Sequence, residues 1–444
     1  MKKKFLTLIG EEKYTEARQE IIEFGAVDIA QLFEDVPQAK LVIVFRLLPK
    51  DLSSDVFTYM SSDLQRQVIE AITDEEVIAI MRDLFMDDAI DFIEEMPSNV
   101  VKRVLKNASE DTRILVNQFL NYPTDSAGSI MTIEYVDLKK DMTVKQALNY
   151  IKINGYDKET INTCYVLSSS RVLEGVVSLR QLVLSDDETA LKDIVNIEVD
   201  SVHTHDDREE VATLFKKYDY YVMPVVDNEN RLVGIITVDD IIDVIDKEAT
   251  EDIHKMAALQ PTEKPYLKTN IWHLAKNRIP WLLVLMISAA FTGGIIKRYE
   301  TALQSVILLA AFIPMLMDTG GNAGSQSSTL IIRGLALGEI EPRHFLKVVS
   351  KELGVSIIVG TMLAVVNFLK IYLIDKAGVL VAITVSFTLV LTVTLSKVIG
   401  GVLPLLAKKF KMDPAIMAGP LITTIVDAIS LIVYFATATW LLGL

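Results

Sequence analysis

The last two fifths of the chain consist mostly of apolar stretches, and these stretches limit the possible folds more than any other feature. Five of them can be read, at roughly 277–297, 301–330, 345–371, 378–407 and 414–442. Each is long enough to cross about 30 Å of hydrocarbon as an α-helix. The sequence therefore predicts a transmembrane domain of five helices.

Basic residues flank these stretches mostly on one side. Lys276 and Arg278 precede the first stretch, and the segments between the second and third and between the fourth and fifth contain Arg333, Arg343, Lys347, Lys351, Lys408, Lys409 and Lys411. The positive-inside rule makes that side cytoplasmic. We expect a multi-pass protein of the cytoplasmic (inner) membrane, with the N-terminus inside and the C-terminus outside. The apolar run near the N-terminus is too short for a signal peptide.

The net charge of -15 hides two parts of opposite sign. Residues 271–444 contain 14 Lys+Arg and 8 Asp+Glu, whereas the first 270 residues contain 30 and 51. An acidic soluble part repels phosphates, which excludes nucleic acid as a natural partner and favours cations. The alternative that the acids only keep this part soluble stays open. The single cysteine, Cys164, excludes a disulfide framework within the chain, and the five histidines lack ligand spacing.

The N-terminal part repeats a short pattern. Apolar residues recur every twelve positions, at Val36, Leu48, Met60, Ile72, Leu84 and Met96. Polar or proline-containing starts such as "PKDLSSD" and "TDEEVIA" follow them, and Asp, Ser or Thr at such a start caps a helix. The pattern predicts helix–turn units that stack into a small superhelix over roughly residues 20–125.

A longer repeat follows in the middle of the chain. Residues 164–183 align without gaps on residues 223–242, and each copy reads as strand, polar turn, strand and a helix led by Ser or Thr. This pattern resembles a tandem pair of CBS domains, which are small α/β modules that form regulatory ligand sites. The alternation of β-branched strands with helices favours the same fold.

The second copy differs from the first by a run of acids. Where the first copy has Arg180 and Gln181, the second has Asp239 and Asp240. Acids then continue over one predicted helix at Asp243, Asp246, Glu248, Glu251 and Asp252. Like charges at these separations destabilise a helix by themselves, so we expect a cation against them.

A glycine-rich segment at 320–326 lies inside the second apolar stretch. Small and polar residues replace helix formers there, so we expect it to interrupt the helix and to be buried or to line water. A phosphate-binding loop is the first alternative, although the GxxxxGK[ST] pattern is missing. Close packing of small residues between helices is the second.

This segment, together with Pro314 and "GPLITTIVDAI" in the last stretch, resembles the MgtE family of bacterial magnesium channels. The order of parts matches as well: an acidic helical N-domain, tandem CBS domains, an acidic connecting (plug) helix with "ATEDIHKMAAL", and five spans. The corresponding domain boundaries are 1–128, 129–192, 193–246, 247–270 and 271–444. The resemblance implies that the protein is not an enzyme. It implies a homodimer that conducts Mg²⁺ along its two-fold axis and is closed by intracellular Mg²⁺.

Asp427 is the acid in the last stretch. A carboxylate in lipid is costly, so Asp427 should face a water-filled path or a partner. In a two-fold dimer its two copies suit a hydrated Mg²⁺, which prefers hard oxygen ligands. The resemblance makes Asp427 the pore ligand, with Gly321, Asn322, Ala323, Thr423 and Thr424 as neighbours. An ion pair with Lys397 is the alternative.

The resemblance also implies regulatory Mg²⁺ sites in the acidic part. Its candidate ligands are Asp87, Asp91, Asp207, Glu209, Asp219, Asp240, Asp243, Glu248, Glu251 and Asp252, and Asp413 is expected to pair with the connecting helix through an ion. Thr237 and Asp240 form a "TVDD" motif that binds ribose in other CBS domains, so ATP is a further candidate ligand. Two other functions stay open: a coupled Mg²⁺/Co²⁺ carrier and a nucleotide-sensing membrane regulator. Selectivity among Mg²⁺, Co²⁺, Ni²⁺ and Mn²⁺ also stays open, since carboxylates accept all four.

Overall fold

The computed structural model describes residues 2–262 and 266–443, and they divide into two compact units. The first unit extends to Ile245 and the second begins at Asp246. The first holds a helical N-terminal region and a CBS region, and the second holds five long apolar helices. The predicted fold class is therefore correct, whereas the exact domain boundaries stay predictions.

Ten short helices make up the N-terminal region. They are α1 (Lys2–Gly10), α2 (Tyr14–Ile21), α3 (Ala26–Phe33), α4 (Gln38–Phe45), α5 (Lys50–Thr58), α6 (Ser62–Ala71), α7 (Asp74–Asp83), α8 (Met86–Glu95), α9 (Ser98–Asn107) and α10 (Glu110–Phe119). From α3 onward the helices pack mainly on the next but one, as α3 does on α5 and α5 on α7. The region is therefore a stacked superhelix, as the twelve-residue pattern predicted.

Three successive units of the repeat each place one aromatic ring in the core. Phe33, Phe45 and Phe57 stand twelve residues apart, and their rings contact edge to face at centroid distances of 6.4 Å. Phe92 of α8 continues the row at 5.2 Å from Phe57. Edge-to-face aromatic pairs add stability beyond the apolar area that they bury. At α7, Thr73 and Glu76 form a capping box that fixes the start of the helix.

Two three-stranded sheets follow, one in each copy of the repeat. The first copy contains β1 (Val136–Lys139), α11 (Val144–Asn154), β2 (Thr163–Leu167), β3 (Leu173–Ser178) and α12 (Leu179–Leu184). The second contains β4 (Val202–His203), α13 (Arg208–Tyr218), β5 (Val222–Val226), β6 (Leu232–Thr237) and α14 (Val238–Met256). In both, the first strand is parallel to the second and the second is antiparallel to the third. The gapless alignment therefore predicted the matching strands correctly.

The second unit contains the membrane-spanning candidates. Its helices are α15 (Ile271–Arg298), α16 (Glu300–Ser305), α17 (Ile313–Ala336), α18 (Phe345–Leu369), α19 (Val379–Lys409) and α20 (Gly419–Leu442). Among the residues that the structure describes, five segments are long and apolar enough to cross a membrane, which confirms the predicted number. They run over Ile271–Arg298, Ile307–Ala336, Pro342–Ile374, Val379–Lys409 and Pro414–Leu442.

One expectation about these spans is wrong. The glycine-rich segment 320–326 does not interrupt the second span, because α17 is helical from Ile313 to Ala336. Its glycines instead allow the helices to approach closely. A Cβ on Gly400 of α19 would lie only 2.2 Å from the backbone oxygen of Gly324. The alternative of small-residue helix packing is therefore what the structure shows.

Candidate cation-binding sites

The first unit contains an acidic cleft between α8, the start of α14 and the loop at Glu159. The cleft has a volume of about 920 Å³. Its acidic lining residues are Asp55, Asp83, Asp87, Asp88, Asp91, Glu95, Glu159, Asp239, Asp240 and Asp243. Among the described lining residues there is no Lys or Arg. Such a wall attracts cations and repels anions.

Burial and mutual repulsion hold protons on several of these carboxyls. Burial raises the pKa of Asp88 to about 7, and the nearby Asp240 raises it further. The pKa of Glu159 is raised to about 7 by burial and then by Asp239. Burial, with Asp240 and Asp88 beside it, raises the pKa of Asp87 well above its usual range. A divalent cation in the cleft would offset this repulsion and favour the ionised forms.

Asp240 lines this cleft from the first turn of α14. Its Oδ2 accepts a hydrogen bond from Thr237 Oγ1 at 2.7 Å. Burial raises the pKa of Asp240 to about 6. Thr237 ends β6 and is itself buried, so the strand fixes the position of this carboxyl.

Within residues 2–262 and 266–443, no three His, Cys, Asp or Glu side chains meet closely enough to form a ready metal site. The carboxyls of the cleft surround open space instead. Mg²⁺ usually keeps several of its waters and binds through one or two carboxylates. The spacing in the cleft suits a hydrated ion held through its water shell, and the carboxylate oxygens of its acidic lining fit Mg²⁺.

The cleft contains acids that the sequence analysis missed. It chose Asp87 and Asp91 of α8 because they share a helix face, but Asp88 also lines the cleft and lies close enough to Asp240 for the two carboxyls to repel each other. Glu159 lies in a loop between α11 and β2, and no pattern in the sequence connects it with α8 or α14. Asp239 was noted in the acidic run but was not chosen as a ligand.

Three predicted ligands lie on α13 or at its two ends instead, and neither α13 nor these ends contribute a described residue to the cleft lining. Asp207 caps the start of α13, where its Oδ1 accepts a hydrogen bond from the Glu209 amide at 2.8 Å. Asp219 ends the helix with a left-handed backbone, at φ 54°. Asp207, Glu209 and Asp219 are all exposed. Helix capping accounts for Asp207 without any metal.

A second group of charges lies in the second unit, on the C-terminal part of α14 and just before α20. Lys255 Nζ is 2.6 Å from Asp413 Oδ2 and also contacts Glu251. Burial raises the pKa of the neighbouring Asp252 to about 6, and Asp413 adds to this effect. Asp413 also caps the short helix Pro414–Met417, because its Oδ1 accepts from the Ala415 amide at 2.8 Å. Glu248 precedes this group on the same helix.

The third site lies within the transmembrane helices. Asp427 is half-buried on α20, close enough to Asp318 of α17 for the two carboxylates to repel each other. Asp318, Asn322 and Gln326 stand four residues apart on α17 and are all exposed in the single chain. Polar side chains at membrane depth require a water-filled path or a polar partner. The sequence analysis missed Asp318 and Gln326, although each stands four residues from Asn322 and that spacing was readable.

The other predicted pore residues have mixed environments. Gly321 packs against Thr423, since a Cβ there would lie 3.0 Å from Thr423 Cγ2. Ala323 is buried, while Asn322 lies on the exposed polar face of α17. The hydroxyls of Thr423 and Thr424 both donate to the carbonyl of Pro420, at 2.9 and 2.8 Å.

Two charged residues are buried inside the bundle. Glu352 of α18 is 8% exposed and accepts a hydrogen bond from Ser327 Oγ at 2.6 Å, a pairing that the sequence analysis missed. Lys397 of α19 is 5% exposed. Among the described residues no ion pair joins Lys397 to Asp427, so the structure does not favour the alternative in which Lys397 neutralises Asp427.

An acidic soluble unit followed by five apolar helices with acids inside defines a class, that of multi-pass membrane proteins that handle cations. The comparisons with known proteins narrow the class. A family model described as a divalent cation transporter, MgtE, matches residues 313–437. The MgtE intracellular N domain matches 25–125, and a CBS domain matches 191–247.

Curated relatives extend the match to nearly the whole chain. A magnesium transporter MgtE of Thermus thermophilus is 35% identical over 97% of this chain and 96% of its own length. That of Bacillus subtilis is 34% identical over 98% and 96%. The chain belongs to the MgtE family of magnesium transporters.

Solved structures agree for the soluble part. The cytosolic domain of the Mg²⁺ channel MgtE in complex with ATP is 33% identical, with a TM-score of 0.53, and covers 55% of this chain and 100% of that one. The soluble part of a magnesium transporter gives 29% identity and a TM-score of 0.52 over 56% of this chain and 98% of that one.

Proposed function

We propose that this chain is a homodimeric Mg²⁺ channel of the cytoplasmic membrane that intracellular Mg²⁺ closes. The observation that carries the proposal is the polar face of α17, namely Asp318, Asn322 and Gln326, beside Asp427 of α20. In a single chain this face is exposed. A second copy facing it would enclose a polar path and bring two Asp427 carboxylates to one hydrated ion.

The acidic cleft of the first unit supports the regulatory part of the proposal. Without Mg²⁺, its carboxyls repel one another and retain protons, as the raised pKa values of Asp88 and Glu159 indicate. With Mg²⁺, α8 and the start of α14 are held together through bridging ions. Since α14 continues toward the first span, binding in the cleft is expected to act on the pore. Asp87, Asp91, Asp240 and Asp243 are the predicted ligands that line this cleft.

The orientation follows from the basic flanks of the spans. We propose that the acidic part and the N-terminus are cytoplasmic and the C-terminus is outside. The cleft then samples the internal Mg²⁺ concentration, which is the quantity that a closing signal must report.

Single-channel recording tests the channel, with purified protein in a lipid bilayer and Mg²⁺ as the only permeant cation. We expect unitary currents that close as Mg²⁺ rises on the cytoplasmic side. Asp427→Asn should abolish the Mg²⁺ current or its Mg²⁺ preference, while cross-linking still reports a dimer. Transport without unitary currents would favour the coupled carrier. If the currents do not respond to internal Mg²⁺, the proposed pore is supported and the proposed regulation is wrong.

ATP is a second proposed ligand, because a neighbouring structure is of a cytosolic domain in complex with ATP. The hydrogen bond between Thr237 and Asp240 presents a carboxylate that is fixed for a ribose. The acids around it repel bare phosphates, so we expect Mg-ATP to bind more tightly than ATP in EDTA. Calorimetry with wild type and Asp240→Ala checks this. Equal heats for the two proteins would argue against nucleotide binding at Asp240.

A further inference from the structure

The end of α14 lies directly against the residues that lead into α20. Gly419, the first residue of α20, has a left-handed backbone at φ 41°. A Cβ at this position would lie 2.6 Å from the carbonyl oxygen of Met256, the last residue of α14. The two backbones therefore meet without a side chain between them. A movement of the end of α14 would therefore act directly on the start of α20, the helix that carries Asp427.

Lys255 also joins the end of α14 to the residues before α20, through an ion pair. Its ammonium is 2.6 Å from Asp413 and in contact with Glu251, which lies one turn earlier on α14. The side chains of Lys255, Glu251 and Asp413 are only 26%, 30% and 28% exposed. This is the place where the sequence predicted a divalent ion between Asp413 and the connecting helix. In the structure, a cation of the chain itself stands there.

An ordinary surface pair does not account for this arrangement. A pair such as Glu251 and Lys255, at i and i+4, contributes only weakly to the stability of a helix. Asp413, however, belongs to a distant part of the chain, and partial burial reduces the screening by solvent. Hydrogen bonds between charged groups contribute more to stability than those between neutral groups. The link between α14 and the start of α20 is therefore the energetically important contact of Lys255.

We propose that Lys255 is an internal counter-cation that holds α14 against the entry of α20 when Mg²⁺ is absent, and that Mg²⁺ must compete with it for Glu251 and Asp413. The inference rests on the proposed function, since it concerns the closing signal of that channel. Glu251, Asp252 and Asp413 together carry one more negative charge than a divalent ion would neutralise, and two more than Lys255 neutralises. Lys255 thus neutralises the three acids only in part, and a Mg²⁺ ion that displaces Lys255 from Glu251 and Asp413 neutralises more of their charge.

The test is hydrogen exchange of the full chain in lipid nanodiscs, read on the α14 residues 246–256. In wild type without Mg²⁺, we expect partial protection that rises when Mg²⁺ is added. Lys255→Gln should exchange roughly ten- to a hundredfold faster than wild type without Mg²⁺, and as slowly as wild type in saturating Mg²⁺. Lys255→Arg should restore most of the protection. Lys408→Gln is the matched control, because it removes an exposed charge at the same end of the bundle.

The possible results distinguish a failure of this inference from a failure of the proposed function. If Lys255→Gln matches wild type without Mg²⁺, the lysine does not hold the contact and the inference is wrong. If the variant stays unprotected even in saturating Mg²⁺, Lys255 is needed for the fold itself and is not a stand-in for the ion, which also overturns it. If wild type shows no Mg²⁺ response while Lys255→Gln still loses protection, the proposed regulation fails and the internal link stands.

Discussion

At the scale of single residues, the acids of the first unit differ in what they do for the fold. Asp207 stabilises its own helix as a cap, whereas the buried carboxyls of the cleft oppose folding at neutral pH. A protein keeps such destabilising groups where they serve a function. In the cleft, the carboxyls that would bind a cation also lower the stability of the fold. Substitutions of these carboxyls should show both effects.

Asp88→Asn should stabilise the chain without Mg²⁺ and weaken its response to Mg²⁺. The substitution removes a half-buried carboxyl whose pKa is raised to about 7 by burial and by Asp240. A gain of about 1 kcal/mol raises the melting midpoint of a domain of this size by about 2–4 °C. Thermal melts with and without Mg²⁺ measure both effects. Asp141→Asn, at an exposed turn, is the control and should change neither. A lower midpoint for Asp88→Asn would contradict the repulsion.

Asp318→Asn should lower the unitary Mg²⁺ conductance several-fold while closure by internal Mg²⁺ stays. Asp318 is one turn from Asn322 on the exposed face of α17 and repels Asp427, so both carboxylates attract ions to one path. Recordings at low ionic strength should show the larger loss, because salt screens such attraction. If Asp318→Asn keeps the wild-type conductance at all salt concentrations, Asp318 does not lie on the ion path.

At the scale of elements, the transmembrane bundle depends on helices that approach closely. The α17 and α19 helices contact backbone to backbone at Gly324 and Gly400. Lipid gives no hydrophobic drive to join helices, so close packing of small residues supplies much of the association. The glycine-rich segment can therefore stay helical, because its residues without side chains allow the neighbouring helix α19 to approach closely.

Gly400→Ala tests that packing. Its Cβ would meet the Gly324 carbonyl oxygen at 2.2 Å, so the helices must separate, at a cost of about 1–3 kcal/mol or more. We expect a lower melting midpoint and less folded protein in detergent. Gly354→Ala on α18 is the matched control, since nothing lies within 4 Å of the added methyl group. Equal stability of the two variants would show that the close contact does not support the bundle.

At the scale of the whole molecule, Mg²⁺ and protons should compete for the acidic cleft. The pKa values of Asp88, Glu159 and Asp240 rise to about 7, 7 and 6 on folding. The folded chain therefore holds more protons than the unfolded chain. The stability that these groups contribute is fully present below about pH 4 and is lost as pH rises through about 6–7.

Mg²⁺ should therefore raise the melting midpoint more at about pH 7.5 than at about pH 5.5, where protons already relieve the repulsion. Melts of the purified chain with Mg²⁺ and with EDTA at the two pH values measure the difference. Asp88→Asn should reduce it. A Mg²⁺ effect that is the same at both pH values would place the responsible ions outside the cleft.

Local patterns in the sequence were enough to predict several parts of the fold. The twelve-residue recurrence gave the helical superhelix, the gapless repeat gave two matching sheets, and length with hydropathy gave five spans. Each of these depends on residues that are neighbours along one segment, so periodicity reveals it. The acidic content of the first unit and the carboxyl of Asp427 were readable for the same reason.

Which of these residues contact one another could be read only from the folded chain. It brought Glu159 beside Asp88 and Asp240, paired Glu352 with Ser327, and placed Lys255 where an ion was expected. It also showed that the glycines of α17 pack against α19 instead of breaking the helix. These contacts join residues that are far apart in the chain. Their formation depends on how whole helices pack, and no local pattern in the sequence records that.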